Sequence, residues 1–213
     1  MIGLLYKDVI YMKKMWKTVI LFAVFFIVFS FVQSNTISAI SFISIMIGGN
    51  FSMLPFSYDN YSKWNEYQYA FPVSKKTVVC SRYLFGLVLF GICLLLNVVG
   101  LLLVQIEILL FTRPYAPITI QYISAEILPL FFIPIMQAIS FPLMYRFGAE
   151  KGRSYVICAI AVIIAIVMSV MKIWGGEITY SSVLITLVGV AVVMYVLSML
   201  LSIHIEQKKM QSL

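Results

Sequence analysis

Residues 57–76, SYDNYSKWNEYQYAFPVSKK, form one long polar interruption with apolar runs on both sides. The chain of 213 residues is 62% hydrophobic and only 11% charged. Soluble domains have roughly 25% charged residues and rarely expose this much apolar surface, so we expect most of the chain to lie in a lipid bilayer. The polar interruption is then its largest surface for a soluble partner.

Six apolar runs are long enough to cross a bilayer, which takes about 20 residues. In hydrocarbon each backbone N–H and C=O must be paired within the segment, so runs of this length are predicted to be helices. The sequence therefore predicts an all-α integral membrane protein whose single transmembrane domain covers residues 1–213. The predicted spans are residues 16–32, 37–56, 84–104, 125–145, 155–173 and 182–203.

The positive charges predict the orientation of these spans. Six spans place both termini on one side, and all of the 15 Lys and Arg residues except Arg113 and Lys172 fall on that side. Because Lys and Arg are enriched in cytoplasmic loops, both termini are predicted to lie in the cytoplasm. The membrane that the spans cross is predicted to be the plasma membrane. The net charge of +7 therefore indicates topology, and nucleic-acid binding is not expected.

Residues 3–17 precede the first predicted span and carry four Lys residues on one arc of a helical wheel. Leu5, Val9 and Met12 fall on the opposite side, while Asp8 and Ile10 break the pattern. This arrangement favours an interfacial helix with its Lys residues toward anionic lipid. The alternative is a plain extension of the first span into the cytoplasm.

The second predicted span has small residues at spacings of three or four, among them Ser41, Ser44 and Gly48. Such a face allows close helix contact and interhelical hydrogen bonds. It fits packing within the molecule as well as it fits the lining of a substrate path.

Neither an energy source nor a catalytic centre is evident. The chain has no G-x-x-x-x-G-K-[ST] motif, which binds nucleotide phosphates. Its one histidine, His204, is at the end of the last predicted span, and Glu107, Glu126 and Lys172 lie near span ends rather than at a bilayer midplane. We expect no metal, no cofactor and no enzymatic activity on this chain, and an energy source on another protein.

Within the polar interruption, Asp59 or Asn60 can cap a short helix that begins near Tyr61. Tyr61, Trp64 and Tyr67 then form an aromatic stripe at i, i+3 and i+6. Ser74 can cap the helix that becomes the third span. The stripe fits an aromatic anchor at headgroup depth and equally an amphipathic plug that inserts into a groove on a partner.

Three segments resemble those of permease subunits of type-2 ATP-binding-cassette (ABC) transporters. The first is Asp59-x-x-Ser62-Lys63-Trp64-x-x-Tyr67 followed by FPVSKK at 71–76; the family more often has Leu where this chain has Phe71. The second is PLMYRFGAEKGR at 142–153, which resembles the cytoplasmic turn between the fourth and fifth spans. The third is LLYKD at 4–8, which resembles the opening of the family.

The resemblance implies a half-transporter. Two permease subunits, identical or related, would pair with two cytoplasmic ATPases that hold ATP and Mg²⁺. The polar interruption would contain the coupling helix between spans 2 and 3 that docks on the ATPase, and residues 3–15 would match the interfacial connecting helix. The implied ATPase-coupling residues are Asp59, Tyr61, Lys63, Trp64, Tyr67, Phe71 and Pro72, and those of the second cytoplasmic turn are Arg146, Glu150, Lys151 and Arg153.

Small six-span permeases of this type resemble peptide exporters of Gram-positive bacteria, including exporters of phenol-soluble modulins. The leading hypothesis is therefore an ATP-driven exporter of amphipathic or antimicrobial peptides. The alternatives are a self-contained secondary carrier or channel, and an immunity-type membrane protein that transports nothing.

Overall fold

A computed structural model describes residues 2–15, 17, 20–21, 24, 36–67, 73–110, 127–174 and 180–211. In this part of the chain all regular elements are helices, which confirms the prediction of an all-α protein there. They are α1 (Ile2–Lys14), α2 (Thr36–Tyr61), α3 (Trp64–Tyr67), α4 (Lys75–Leu110), a 3₁₀ helix (Leu128–Phe131), α5 (Phe132–Phe147), α6 (Ala149–Trp174) and α7 (Tyr180–Gln211).

Within the described ranges, three helical segments are long and apolar enough to cross a membrane by length and composition. They are Lys75–Leu102, Leu128–Phe147 and Thr186–Lys208, and they overlap the third, fourth and sixth predicted spans. Most of the first predicted span lies outside the described residues. The six-span topology therefore stays a prediction.

The described helices extend beyond the apolar runs that predicted them. Helix α4 begins at Lys75, whereas the predicted span begins at residue 84. Ser74 Oγ accepts a hydrogen bond from the backbone N–H of Thr77 at 3.3 Å, which confirms Ser74 as the N-cap of this helix. Hydropathy locates the apolar part of a helix, while the capping residue fixes where the helix begins.

A buried cluster of aromatic residues lies between α4, α5 and α7. Tyr83 packs edge-on against Phe141, with ring centroids 4.9 Å apart, and against Tyr195 at 5.2 Å. The Tyr83 hydroxyl lies 2.6 Å from Ser198 Oγ and 2.8 Å from Ser202 Oγ. Each buried polar group in this contact therefore has a partner from a neighbouring helix, as an apolar environment requires.

Small residues bring α2 close to its neighbours. A Cβ on Gly48 would lie 2.8 Å from Ile133 Cδ1, so a larger residue there would force Ile133 to move. Ser41 and Ser44 are buried and bond to Asn97 of α4. For these residues the structure favours the packing interpretation over the substrate path.

Helix α1 packs across the ends of α2 and α4. Leu5, Met12 and Met15 contact a buried cluster of Phe51, Phe85 and Leu89. Val9 was predicted to face the same way, but it is 41% exposed. Asp8, which broke the sequence pattern, lies on the buried face instead, where its carboxylate pairs with Arg82.

Candidate functional site

The connection between α2 and α4 differs from its predicted form. Helix α2 continues without interruption through Asp59 to Tyr61. Ser62 and Lys63 then form a turn closed by a 2.8 Å hydrogen bond from Ser62 N–H to Tyr58 C=O, and Lys63 has a φ of 52°. The predicted cap at Asp59 or Asn60 is therefore wrong, because both residues lie inside a helix.

The predicted continuous aromatic stripe is wrong for the same reason. Tyr61 is the last residue of α2, while Trp64 and Tyr67 bound the single turn of α3. A turn separates them, so the i, i+3, i+6 spacing does not run along one helix. Phe71 and Pro72 lie outside the described residues, and their predicted role stays a prediction.

Asp59 is buried, with 5% of its surface exposed, and belongs to a cluster of four charged side chains. Its carboxylate accepts hydrogen bonds from the Arg82 guanidinium of α4 and from Lys7 Nζ of α1, the latter at 2.7 Å. Arg82 also donates to Asp8 Oδ1 at 2.8 Å. We call Lys7, Asp8, Asp59 and Arg82 the ionic cluster; it ties α1, α2 and α4 together.

The ionic cluster contains two carboxylates and two cations. A buried charge is tolerated only when it is paired and hydrogen-bonded, because removal from water costs several kcal/mol per ion. Burial raises the pKa of Asp8 to about 6, against the opposing pull of Arg82 and Lys7. Burial and the nearby Arg82 charge lower the pKa of Lys7, although Asp59 partly offsets them.

Aromatic rings surround the ionic cluster and connect it to α3. Lys7 Nζ lies 4.5 Å from the centroid of the Trp64 ring, within cation–π range. Tyr11 of α1 stacks on Tyr58 of α2 with centroids 4.8 Å apart. Trp64 is therefore held against α1 by a cation, and α3 is attached to the same cluster as Asp59.

The residues next to this anchor are exposed. Tyr61 is 92% exposed and Tyr67 is 63% exposed, and Lys63 between them is exposed as well. Large aromatic residues that project from a fixed base are typical anchors of protein interfaces. Of the predicted coupling residues, Tyr61, Lys63 and Tyr67 are thus available to a partner, whereas Asp59 is not.

The second predicted turn joins α5 to α6 and is tight. Gly148 alone separates the two helices and has a φ of 80°, in the region that favours glycine. Glu150 and Lys151 are exposed, and the Arg146 guanidinium lies 5.3 Å from the centroid of the Phe147 ring. Arg153, the last of the predicted residues of this turn, contacts Ser57 of α2.

Two further contacts join the α2–α4 connection to other helices. Arg153 of α6 donates a 2.8 Å hydrogen bond to Ser57 Oγ, near the end of α2. At the other end of the connection, Lys75 Nζ lies 3.6 Å from Glu206 Oε1 of α7. Arg153 is therefore the member of the predicted second turn that contacts the last turns of α2, just before the α2–α4 connection.

Asp8 and Arg82 were not predicted as members of the site. A signal was present for each: Asp8 interrupts an otherwise amphipathic pattern, and Arg82 is a charge inside a helix that becomes strongly apolar. The two residues are 74 positions apart, so no local pattern could pair them.

The comparisons with known proteins agree with this helical membrane architecture. The family model described as ABC-2 family transporter protein matches residues 3–207. Neither the curated proteins nor the solved structures give a significant match. Because the model covers nearly the whole chain, this chain belongs to the ABC-2 family, whose members are the membrane permeases that work with an ABC ATPase subunit.

Proposed function

We propose that this permease drives export by docking the α2–α4 connection on its ABC ATPase. The observation that carries the proposal is a contrast in solvent exposure between residues only a few positions apart. Tyr61, Lys63 and Tyr67 are exposed, while Asp59 is buried and bonded to two cations. An exposed aromatic contact on a rigid base suits a surface that must transmit force.

The ionic cluster supplies a path for that force. Nucleotide binding would change the position of the ATPase, and with it the position of α3 and the adjoining turn. Because Arg82 bonds carboxylates from α1 and α2 together, a displacement at Asp59 would move α1 and α4 as a unit. A transporter needs such a coupled element to change between inward- and outward-facing arrangements.

The remaining parts of the proposal follow from the family and from the resemblance of the sequence to small six-span permeases. ATP and Mg²⁺ would bind the partner ATPase, so this chain would have no enzymatic activity of its own. It would pair with a second permease subunit, identical or related, in the plasma membrane of a Gram-positive bacterium, with both termini in the cytoplasm. The cargo would be amphipathic or antimicrobial peptides.

Two substitutions test the docking surface. Tyr61→Ala removes an exposed aromatic ring and Lys63→Glu reverses an exposed charge. Each should weaken ATPase association by about tenfold, the loss of ~1–2 kcal/mol typical of an interface anchor. The measurement is the amount of ATPase that co-purifies with the permease from detergent-solubilised membranes, together with peptide-stimulated ATP hydrolysis.

Lys208→Glu is the matched control, since it makes the same charge reversal at an exposed residue of α7 outside the connection. Its ATPase association should equal that of the wild type. If Tyr61→Ala and Lys63→Glu also retain full association and full stimulated hydrolysis, the α2–α4 connection does not dock the ATPase.

A further inference from the structure

A cavity of about 480 Å³ lies between α2, α5 and α6, beside the end of α1. Cavities that hold small ligands or side-chain clusters measure ~300–1,000 Å³, so this one is large enough to bind part of a substrate. Its walls are almost entirely apolar. The cavity is separate from the ionic cluster and from the exposed turn at Tyr61.

Four methionines line this cavity: Met46 and Met53 of α2, Met136 of α5, and Met15, which follows the end of α1. The unbranched methionine side chain has three rotatable bonds and a polarisable sulfur, so it adapts to apolar groups of differing shape. Surfaces rich in methionine are accordingly used to bind varied amphipathic peptides. A wall of this kind fits a mixture of apolar side chains better than one fixed shape.

Among the lining residues that the structure describes, only Asn50 and Arg153 are polar. The Asn50 side-chain amide donates to Met46 C=O on its own helix at 2.9 Å. Arg153 is exposed, so it lies at the open edge of the cavity, and it donates to the neutral hydroxyl of Ser57. In the described part of the chain no carboxylate forms an ion pair with Arg153.

The positive charge of Arg153 is therefore not balanced by a carboxylate among the described residues. Arginine is charged at any physiological pH, and its strongest partners are carboxylates, which form charge-assisted and often bidentate hydrogen bonds. A neutral hydroxyl is a weaker partner. A ligand with an apolar part for the cavity and a negative group at its edge would complement both features.

We propose that this cavity binds the apolar face of an amphipathic peptide and that Arg153 determines specificity by binding a carboxylate of that peptide. The proposal rests on the proposed function of peptide export and adds a binding site for the cargo and the charged group by which that site would select it. It also links cargo to the docking surface. Ser57 lies two residues before Asp59 on α2, so a carboxylate that takes Arg153 from Ser57 would release α6 from the end of α2 that carries the ionic cluster.

The test uses the permease with its ATPase in nanodiscs of phosphatidylcholine. The probes are a fluorescent amphipathic helical peptide with a free C-terminal carboxylate and the same peptide with a C-terminal amide, both without acidic side chains. The wild type should bind the carboxylate form about tenfold more tightly, since a hydrogen bond between charged partners contributes that much. Arg153→Gln should abolish this difference and leave the affinity for the amide form unchanged.

Three further variants separate charge from structure. Arg153→Lys keeps the charge but loses the bidentate geometry, so part of the preference should remain. Ser57→Ala removes the competing hydroxyl and should keep the full preference. Lys208→Gln removes an exposed positive charge outside the cavity and should also keep it.

The proposal is overturned if the wild type binds both peptides equally, or if Lys208→Gln loses the preference as Arg153→Gln does. It is also overturned in favour of a lipid site if adding phosphatidylglycerol displaces both peptides and Arg153→Gln prevents that displacement. ATPase co-purification from the same samples reports on the proposed function separately. If the ATPase is present and the peptides bind equally, the cargo inference alone fails; if the ATPase is absent, the proposed function fails.

Discussion

Two polar clusters hold α2 against α4, and they differ in charge. The ionic cluster lies near the end of α2 and near the start of α4, where Asp59 meets Arg82. The second cluster lies away from that end, in the first half of α2 and the second half of α4, and is neutral: Asn97 accepts from Ser41 Oγ at 2.9 Å and donates to Ser44 Oγ at 2.6 Å. Among the described contacts between α2 and α4, the charged ones thus lie at the end next to the exposed turn, and those in the apolar part of α4 are neutral hydrogen bonds.

The difference has an energetic basis. An unpaired ion inside hydrocarbon is far more costly than an unpaired amide or hydroxyl, so neutral groups are the safer means of joining helices there. Hydrogen bonds of this kind contribute only ~0.6 kcal/mol on average in a membrane protein. Paired charges are more sensitive to loss of a partner, which makes the ionic cluster the better element for transmitting a displacement.

The largest effect should come from removing the shared cation of the ionic cluster. Arg82→Gln leaves Asp8 and Asp59 buried with Lys7 as their one remaining cationic partner in the cluster, so the free energy of unfolding should fall by about 3–5 kcal/mol. The loss is measured as a lower unfolding midpoint in a thermal scan of the purified protein in detergent. Arg146→Gln, which removes an exposed arginine, should shift the midpoint little, and equal shifts for the two variants would contradict the buried, shared role of Arg82.

The next largest effect is a pH dependence of the free energy of unfolding that arises from Asp8. Its pKa is raised from 3.8 to about 6 in the folded protein, so the folded state binds more protons than the unfolded state between those values. The Asp8 contribution to stability should therefore fall as pH rises from about 4 to about 6, by at most ~3 kcal/mol, and stay constant above that range. The test is chemical denaturation of the wild type and of Asp8→Asn across this range.

Asn resembles a protonated Asp and does not titrate, so Asp8→Asn should lack this component. The stability of the wild type relative to Asp8→Asn should decrease between about pH 4 and pH 6. Parallel curves for the two proteins would show that Asp8 titrates normally and is not desolvated.

The smallest effect should come from the neutral cluster. Asn97→Leu removes the hydrogen bonds to Ser41, Ser44 and Cys93 C=O but leaves no buried ion, so the expected loss of stability is about 1–2 kcal/mol. Leu95→Ala, at an exposed position of the same helix, is the control. A loss as large as that of Arg82→Gln would show that the neutral cluster bears as much of the α2–α4 contact as the ionic one.

The sequence predicts the apolar centres of the described helices, because hydropathy and length suffice for that. It also identifies the exposed residues Tyr61, Lys63 and Tyr67, which stand out as aromatic and charged residues in a polar stretch. It does not predict the position of Asp59, since a residue that suits an N-cap suits a buried ion pair as well. The choice between the two depended on Lys7 and Arg82, which come from other parts of the chain.

Arg82 shows a second limit of sequence reasoning. Counted by position, it contributes to the positive charge of one side of the membrane, like the exposed lysines around it. In the fold it is buried and bonded to two carboxylates. Charge counts predict topology without distinguishing a solvated lysine from an arginine that joins three helices.

The most direct test of the account is photo-crosslinking from the exposed turn in the native membrane. A photoreactive phenylalanine analogue in place of Tyr61 should crosslink to a protein that carries the P-loop sequence of an ABC ATPase, identified by mass spectrometry. The same analogue in place of Val193, an exposed residue within a candidate membrane span of α7, should not do so. A Tyr61 position that crosslinks only to lipid, or yields the ATPase no more often than the Val193 position, would contradict the account.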